Sequence, residues 1–174
     1  SEAYASALEG DLRALGQRAR DLASDGLIRA RLEALGSAQG EPRAALEAEL
    51  RRHLLDNKLP LVPAFENIAL APPEGAPFLA RVDDAGWTEP LGSAPAQGDE
   101  FSALLASGPD AAPCFLFATP LETLASERAL GRLVVKINAG VWIAQSLAVM
   151  RGNEPDEEVA PTLRLIDQRG RALV

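Results

Sequence analysis

The stretch Gly131-Arg-Leu-Val-Val-Lys-Ile-Asn138 runs without punctuation into Ala139-Gly-Val-Trp-Ile-Ala-Gln-Ser-Leu-Ala-Val-Met150. Leu133–Ile137 is apolar and partly β-branched, so it predicts a strand. The following run is longer and rich in Ala, and it predicts a helix. Asn138 suits the N-cap between them, because its side chain can accept from a free backbone N–H. Upstream, Cys114–Ala118 (CFLFA) reads as a second buried strand, with residues 120–130 as the connection. Further upstream, Phe65–Ala71 (FENIALA) and Phe78–Val82 read as strands, separated by Pro72, Pro73 and Gly75. Asp83-Asp84-Ala85-Gly86 reads as a turn, and Trp87–Leu91 as a continuation of the sheet. Asp99 is placed to cap a short helix over Glu100–Ala106. After the helix, residues 151–160 form an acidic loop. Thr162–Ile166, a turn at Asp167–Gly170 and Arg171–Val174 then predict a closing hairpin.

The first third of the chain is different. Tyr4, Leu8, Leu12, Leu15, Ala19 and Leu22 recur at spacings of four and three, which is one apolar seam on a long helix. Asp25-Gly26 breaks it. A second helix covers Leu27–Leu35. A third opens near Pro42, runs to about Asn57 and carries Leu46, Leu50 and Leu54 on one face. Helices gathered first, then strands joined by short turns, imply an α+β fold: a long N-terminal helix packed on a central antiparallel sheet, with further helices. The expected organisation is a single domain over 1–174, with a helical part over 1–60, a sheet-containing core over 61–150 and a terminal hairpin over 151–174. That hairpin either completes the sheet or begins a second lobe.

Composition narrows the function. With 47% hydrophobic and 24% charged residues, the chain can fold around a core. A formal net charge of -8 opposes binding to phosphate backbones, so nucleic acid is not an expected partner. No stretch reaches the ~20 apolar residues that span a bilayer. One cysteine, Cys114, and one histidine, His53, leave no intramolecular disulfide and no Cys/His zinc site within one chain. There is no glycine-rich phosphate loop and no nucleophile elbow, hence no cofactor and no catalytic residue to name. His53 beside Leu50 and Leu54 reads as a helix histidine, and Cys114 as a buried, inert thiol. The run Glu154-Pro-Asp-Glu-Glu158 lacks the ligand alternation of a calcium loop and reads as solvated, not as a metal site.

Two segments carry a family resemblance. Gly131–Asn138 with its helix resembles the closing strand and helix of extracytoplasmic PAS-like (Cache-type) sensor domains of bacterial membrane receptors, such as sensor histidine kinases. Leu163–Val174, a strand, an Asp-x-x-Gly turn and a returning strand, resembles that family's recurring hairpin, and Val82–Trp87 is a weaker copy. The long first helix also matches. The resemblance implies a periplasmic domain that binds a small carboxylate or amino acid on one side of the sheet. It implies a homodimer through the N-terminal helix, with membrane segments and a kinase, cyclase or chemotaxis module outside these residues, and no enzymatic activity in the domain itself.

Alternation along the strands proposes where a ligand would sit. Lys136 shares a face with Val134 and Asn138. Arg81 shares one with Leu79 and Asp83. If those faces align, Arg81 and Lys136 form a cationic spot for a carboxylate, with Asp83 beside them. Phe115 and Phe117 would wall it, and Trp87 would line it from the following turn. Trp142 reads as core packing on the sheet. The alternative reading is a protein–protein assembly domain of a membrane-associated complex, with a filled core and an exposed apolar patch. A cytoplasmic PAS- or GAF-like regulator and a small hydrolase rank below it.

Overall fold

A computed structural model of the chain describes residues 2–84, 99–102, 105, 112–126 and 128–152. Helix α1 spans Glu2–Ala23, α2 Gly26–Leu35 and α3 Gly40–His53. The last of these winds into one π-helical turn, Leu54–Lys58, and a 3-10 turn, Leu59–Leu61. The strands are β1 Phe65–Ala71, β2 Phe78–Leu79, β3 Glu100–Phe101, β4 Cys114–Glu122 and β5 Ala129–Asn138, followed by α4, Ala139–Gly152.

All five strands lie in one antiparallel sheet of order β2-β1-β5-β4-β3, a PAS-like arrangement. The expected α+β architecture is therefore present, long first helix included. Asp25 caps α2 by accepting from the N–H of Leu27 and of Ile28, at 2.9 and 3.0 Å. This is why the helical region bends at Asp25-Gly26. Leu15, Ala19 and Leu22 of the α1 seam are buried against the sheet, together with Ile28, Leu35, Leu50 and Leu54. Close approach bears on two glycines. A Cβ on Gly16 would stand 3.1 Å from the Phe117 ring, so Gly16 lets α1 press on β4. Gly131 has φ +128°, and a Cβ there would stand 2.1 Å from the Ala71 carbonyl oxygen.

Three boundaries differ from the sequence reading. Glu100–Phe101 is an edge strand, not the start of a helix, because Ser102 N–H donates to Leu116 and Leu105 bridges Cys114. Asp99 accordingly caps no helix. It accepts from Arg20 Nε at 2.7 Å and from Thr119, and so ties α1 to β4. Both ends of the expected 120–130 connection, Pro120–Glu122 and Ala129–Leu130, belong to β4 and β5, whose pairing extends to Glu122 and Ala129. The second strand ends at Leu79, short of Val82. The expected strand from Trp87, the acidic run 154–158 and the terminal hairpin lie outside the described residues.

Candidate functional site

Cross-strand register decides what faces what. Phe115 pairs with Ile137 and Phe117 with Val135, whereas Lys136 pairs with Leu116 and Asn67. Neighbours across a sheet share a face. Phe115, Phe117, Val135 and Ile137 therefore point toward the helices, and Lys136 points to the opposite, outer face. Phe117 is buried 4.7 Å from the Phe101 ring, and Phe115 meets Trp142 edge-on at 5.5 Å. Phe115 and Phe117 do not wall a site with Lys136, because strand alternation puts the sheet between them. Trp142 packs on the sheet as expected.

The outer face holds a hollow of about 490 Å³, lined by Pro63, Phe65, Glu66, Arg81, Asp83, Asp84 and Lys136. Arg81, Asp83 and Lys136, three of the residues singled out in the sequence, thus converge. Trp87 lies outside the described residues. Three others, Glu66, Asn67 and Asp84, build the place.

Pairing shifts between Phe65 and Asn67, so Glu66 is an extra residue in β1. Such a bulge re-aims the side chains beside it. Asn67 thereby lands opposite Lys136, and Glu66 comes within 3.5 Å of Lys136 Nζ. Asn67 is fully buried. Its Oδ1 accepts from Arg81 N–H at 3.0 Å and its Nδ2 donates to the Arg81 carbonyl at 3.0 Å. The carboxamide thus imitates one backbone peptide and prolongs the ladder past the end of β2. That carries the chain round to Asp84, whose two carboxylate oxygens each accept from Lys136 Nζ at 3.0 Å. Asn67 Nδ2 also reaches Asp84, at 3.3 Å.

These contacts set the electrostatics. Burial pulls the Lys136 ammonium down, but its hydrogen bonds to Asp84 and the charges of Asp84 and Glu66 outweigh it, so its pKa stands above that of a free lysine. Lys136 is a firmly charged ammonium already held by carboxylates. Arg81 and Asp83 are exposed on the rim, and among the described residues no side-chain partner meets either. The lining counts two cations, Arg81 and Lys136, against three carboxylates, Glu66, Asp83 and Asp84. Beside the expected Arg81, Lys136 and Asp83, the lining holds Glu66 and Asp84, which makes it a mixed-charge site with a slight acidic excess. Asn67 had a signal in the sequence, as a lone carboxamide in the apolar run FENIALA. The bulge at Glu66 had none.

Elsewhere, Cys114 is buried, and desolvation pushes its thiol pKa up, which suits an inert side chain. His53 is half-buried, with Nε2 3.4 Å from the Asp25 carboxylate and Nδ1 3.3 Å from Asn57 Nδ2. That is a helix-junction role. A second, mainly apolar hollow of about 250 Å³ lies between α1, residues 61–63 and α4, beside Trp142. On it, Leu61 and Val149 are 68% and 63% exposed.

No protein-family model matches the chain, and no curated protein matches it in sequence. Solved structures do. The chain is similar to the ligand-binding domain of the amino acid chemoreceptor PctC of Pseudomonas aeruginosa PAO1 in complex with GABA, at 14% identity and a TM-score of 0.44, covering 84% of this chain and 64% of that one. It is similar to the ligand-binding domain of the Campylobacter jejuni chemoreceptor Tlp3 in complex with L-norvaline, at 13% identity and a TM-score of 0.43, covering 99% of this chain and 70% of that one. The sensory domain of Tlp3 with isoleucine bound is similar at 14% identity and a TM-score of 0.43, covering 98% of this chain and 71% of that one. The chain therefore spans a little under two thirds of the PctC domain and somewhat more of the Tlp3 domain.

Proposed function

We propose that the chain is a small-molecule sensing domain of the extracytoplasmic PAS-like kind, belonging to a membrane-bound signal-transduction receptor. One observation carries the reading. On the sheet face turned away from α1, a hollow of about 490 Å³ gathers Arg81, Asp83, Asp84, Glu66 and Lys136. That size lies within the roughly 300–1,000 Å³ of small-molecule sites. Arg81, without a side-chain partner among the described residues, supplies a fork for a ligand carboxylate. The carboxylate excess supplies acceptors for an ammonium. A molecule bearing both groups, such as an amino acid, matches this lining better than a simple anion. In this reading the domain is not catalytic, lies on the periplasmic side of the inner membrane and pairs with a second copy through α1.

A thermal-shift panel of acetate and succinate, their amines, and α- and ω-amino acids tests it. A compound present at about 100 times its Kd should add roughly 2.7 kcal/mol of stability. Amino acids should raise the Tm more than acids of equal length. Arg81→Ala should remove that rise while changing the ligand-free stability by under about 0.5 kcal/mol, as expected of an exposed side chain. A panel without any shift, or an undiminished shift in Arg81→Ala, rejects the site.

A second reading, an assembly domain, has one observation in its favour: the apolar hollow with Leu61 and Val149 on its rim. Ultracentrifugation of Leu61→Ser/Val149→Ser separates the two. Loss of self-association with ligand response intact would assign that patch to assembly and leave the hollow on the outer face as the sensor.

A further inference from the structure

Among the described residues, one side chain of the outer hollow reaches the cap of α4. Glu66, in its lining, accepts from Asn138 Nδ2 at 2.7 Å. The other end of the same carboxamide, Asn138 Oδ1, accepts from Val141 N–H at 2.9 Å and so caps α4. The orientation is forced from both ends, since an ionised carboxylate can only accept and a backbone N–H can only donate. Gly140 leaves the space this needs, because a Cβ there would lie 3.3 Å from Asn138 Oδ1. The backbone around Asn138 is pinned as well. Its N–H donates to Ala64 and that of Ala139 to Pro113, at 2.9 and 3.0 Å. The side chain is therefore the adjustable part of the junction. One residue beyond Val141, Trp142 packs on Phe115 on the other face of the sheet.

We infer that Glu66 is a positioning residue that sets the grip of Asn138 on α4, so that occupation of the outer hollow is transmitted to the helix on the opposite face. Resting on the sensing role given above, this adds its output. Glu66 sits between two cationic or donor partners, Lys136 and Asn138. A guest ammonium that engages Glu66 competes with Asn138, and the freed carboxamide can turn away from Val141. Only a difference in the guest's affinity for the gripped and released arrangements can drive the shift.

Amide hydrogen exchange at Val141, followed by NMR, reads the grip directly. Glu66→Ala should speed Val141 exchange on the order of three- to tenfold, the range of a weakened N-cap, and leave Ile68 and Val135 unchanged. Asn138→Asp keeps the capping oxygen but replaces the donor facing Glu66 with a second carboxylate. In that background the sign should invert, with Glu66→Ala slowing Val141 exchange by relieving the repulsion. A loss of packing at residue 66 would speed exchange in both backgrounds. No change at Val141 in Glu66→Ala, or the same acceleration in Asn138→Asp, overturns the coupling.

These arms need no bound molecule, so they stand even if the compound panel finds no binder. A final arm uses glycine, L-alanine and 4-aminobutyrate. Any of these that raises the Tm should change the Val141 rate in the wild type and not in Asn138→Ala. A Tm rise with Val141 unmoved in the wild type would leave the sensing site standing and remove its link to α4.

Discussion

The two faces of the sheet are both buried, but by different chemistry. On the helix side, Ile68, Leu70, Phe115, Phe117, Leu121, Leu133, Val135 and Ile137 join a continuous apolar cluster with α1, α2 and α3. On the outer side the apolar cluster is small, Ala69, Leu116, Ala118 and Val134, with Leu79 and Leu105 against it. Beside it the strands carry Asn67, Lys136 and the carboxylates that satisfy them. The helix-side face is packed with hydrocarbon apart from Thr119, which is tied to Asp99 at its edge, and offers a guest little to rearrange. A face that keeps charges in a half-open hollow has groups that a guest can rearrange. The run CFLFA, apolar on both alternations, reflects double coverage, whereas a one-sided antiparallel strand would alternate.

The sharpest test of this contrast is on the inner side. Phe117→Ala should cost about 3–5 kcal/mol in urea unfolding, as for other fully buried aromatic side chains. The ring is 1% exposed, meets Phe101 at 4.7 Å and lies against Gly16 of α1. A cost near 1 kcal/mol would mean that α1 is not seated on β4 as described. Ligand responses in the outer hollow should survive at temperatures where the variant stays folded.

The next effect belongs to the outer side. Lys136→Met removes the cation between Asp84 and Glu66, leaving two partly buried carboxylates facing each other. Truncating one partner of such a set exposes the desolvation cost of what remains. With a side chain 14% exposed and its Asp84 partner 20% exposed, about 1–2 kcal/mol is expected. Adding Asp84→Asn should recover part of it, since the amide needs no cation. If the single and double variants are equally unstable, packing of the lysine stem and not its charge carries the effect.

How much of this could be read from the residues follows from what is local. FENIALA, CFLFA and LVVKI announce strands by composition, Asn138 announces the start of α4, and period-four leucines announce α1. The ends of β4 and β5 did not show, because Thr119–Glu122 and Ala129–Arg132 become strand by pairing with one another. Asp99 carried a true capping preference that lost to its contacts with Arg20 and Thr119. Alternation pointed to Arg81 and Lys136 on one face, and both line the outer hollow, although Arg81 lies beyond β2 and is placed by the Asn67 carboxamide. It could not reveal that Glu66 and Asp84 neutralise Lys136, because a bulge and a loop excursion have no period. Nor did it fix the register that sends Phe115 and Phe117 to the other face.

The smallest predicted effect sharpens the comparison from the helix side, where charge is confined to the rim. Asp25 caps α2 and pairs with Lys58, and His53 stands nearby. Burial pushes the Asp25 carboxyl up, but the hydrogen bond from Lys58, that from Ile28 N–H and the charges of Lys58 and His53 outweigh it, so its pKa lies below the usual aspartate value. A carboxyl lowered by folding stabilises above its unfolded pKa, roughly 3.9, and that contribution fades as pH falls through the folded value. Asn is also a good N-cap, so Asp25→Asn keeps the cap and deletes only the charge. The variant should lose under about 1 kcal/mol at pH 7. The gap to wild type should close progressively below about pH 4, measured as urea unfolding free energy across pH. A constant gap down to pH 2 would assign the loss to capping geometry, and the ion pair with Lys58 would then contribute nothing to holding α2 against α3.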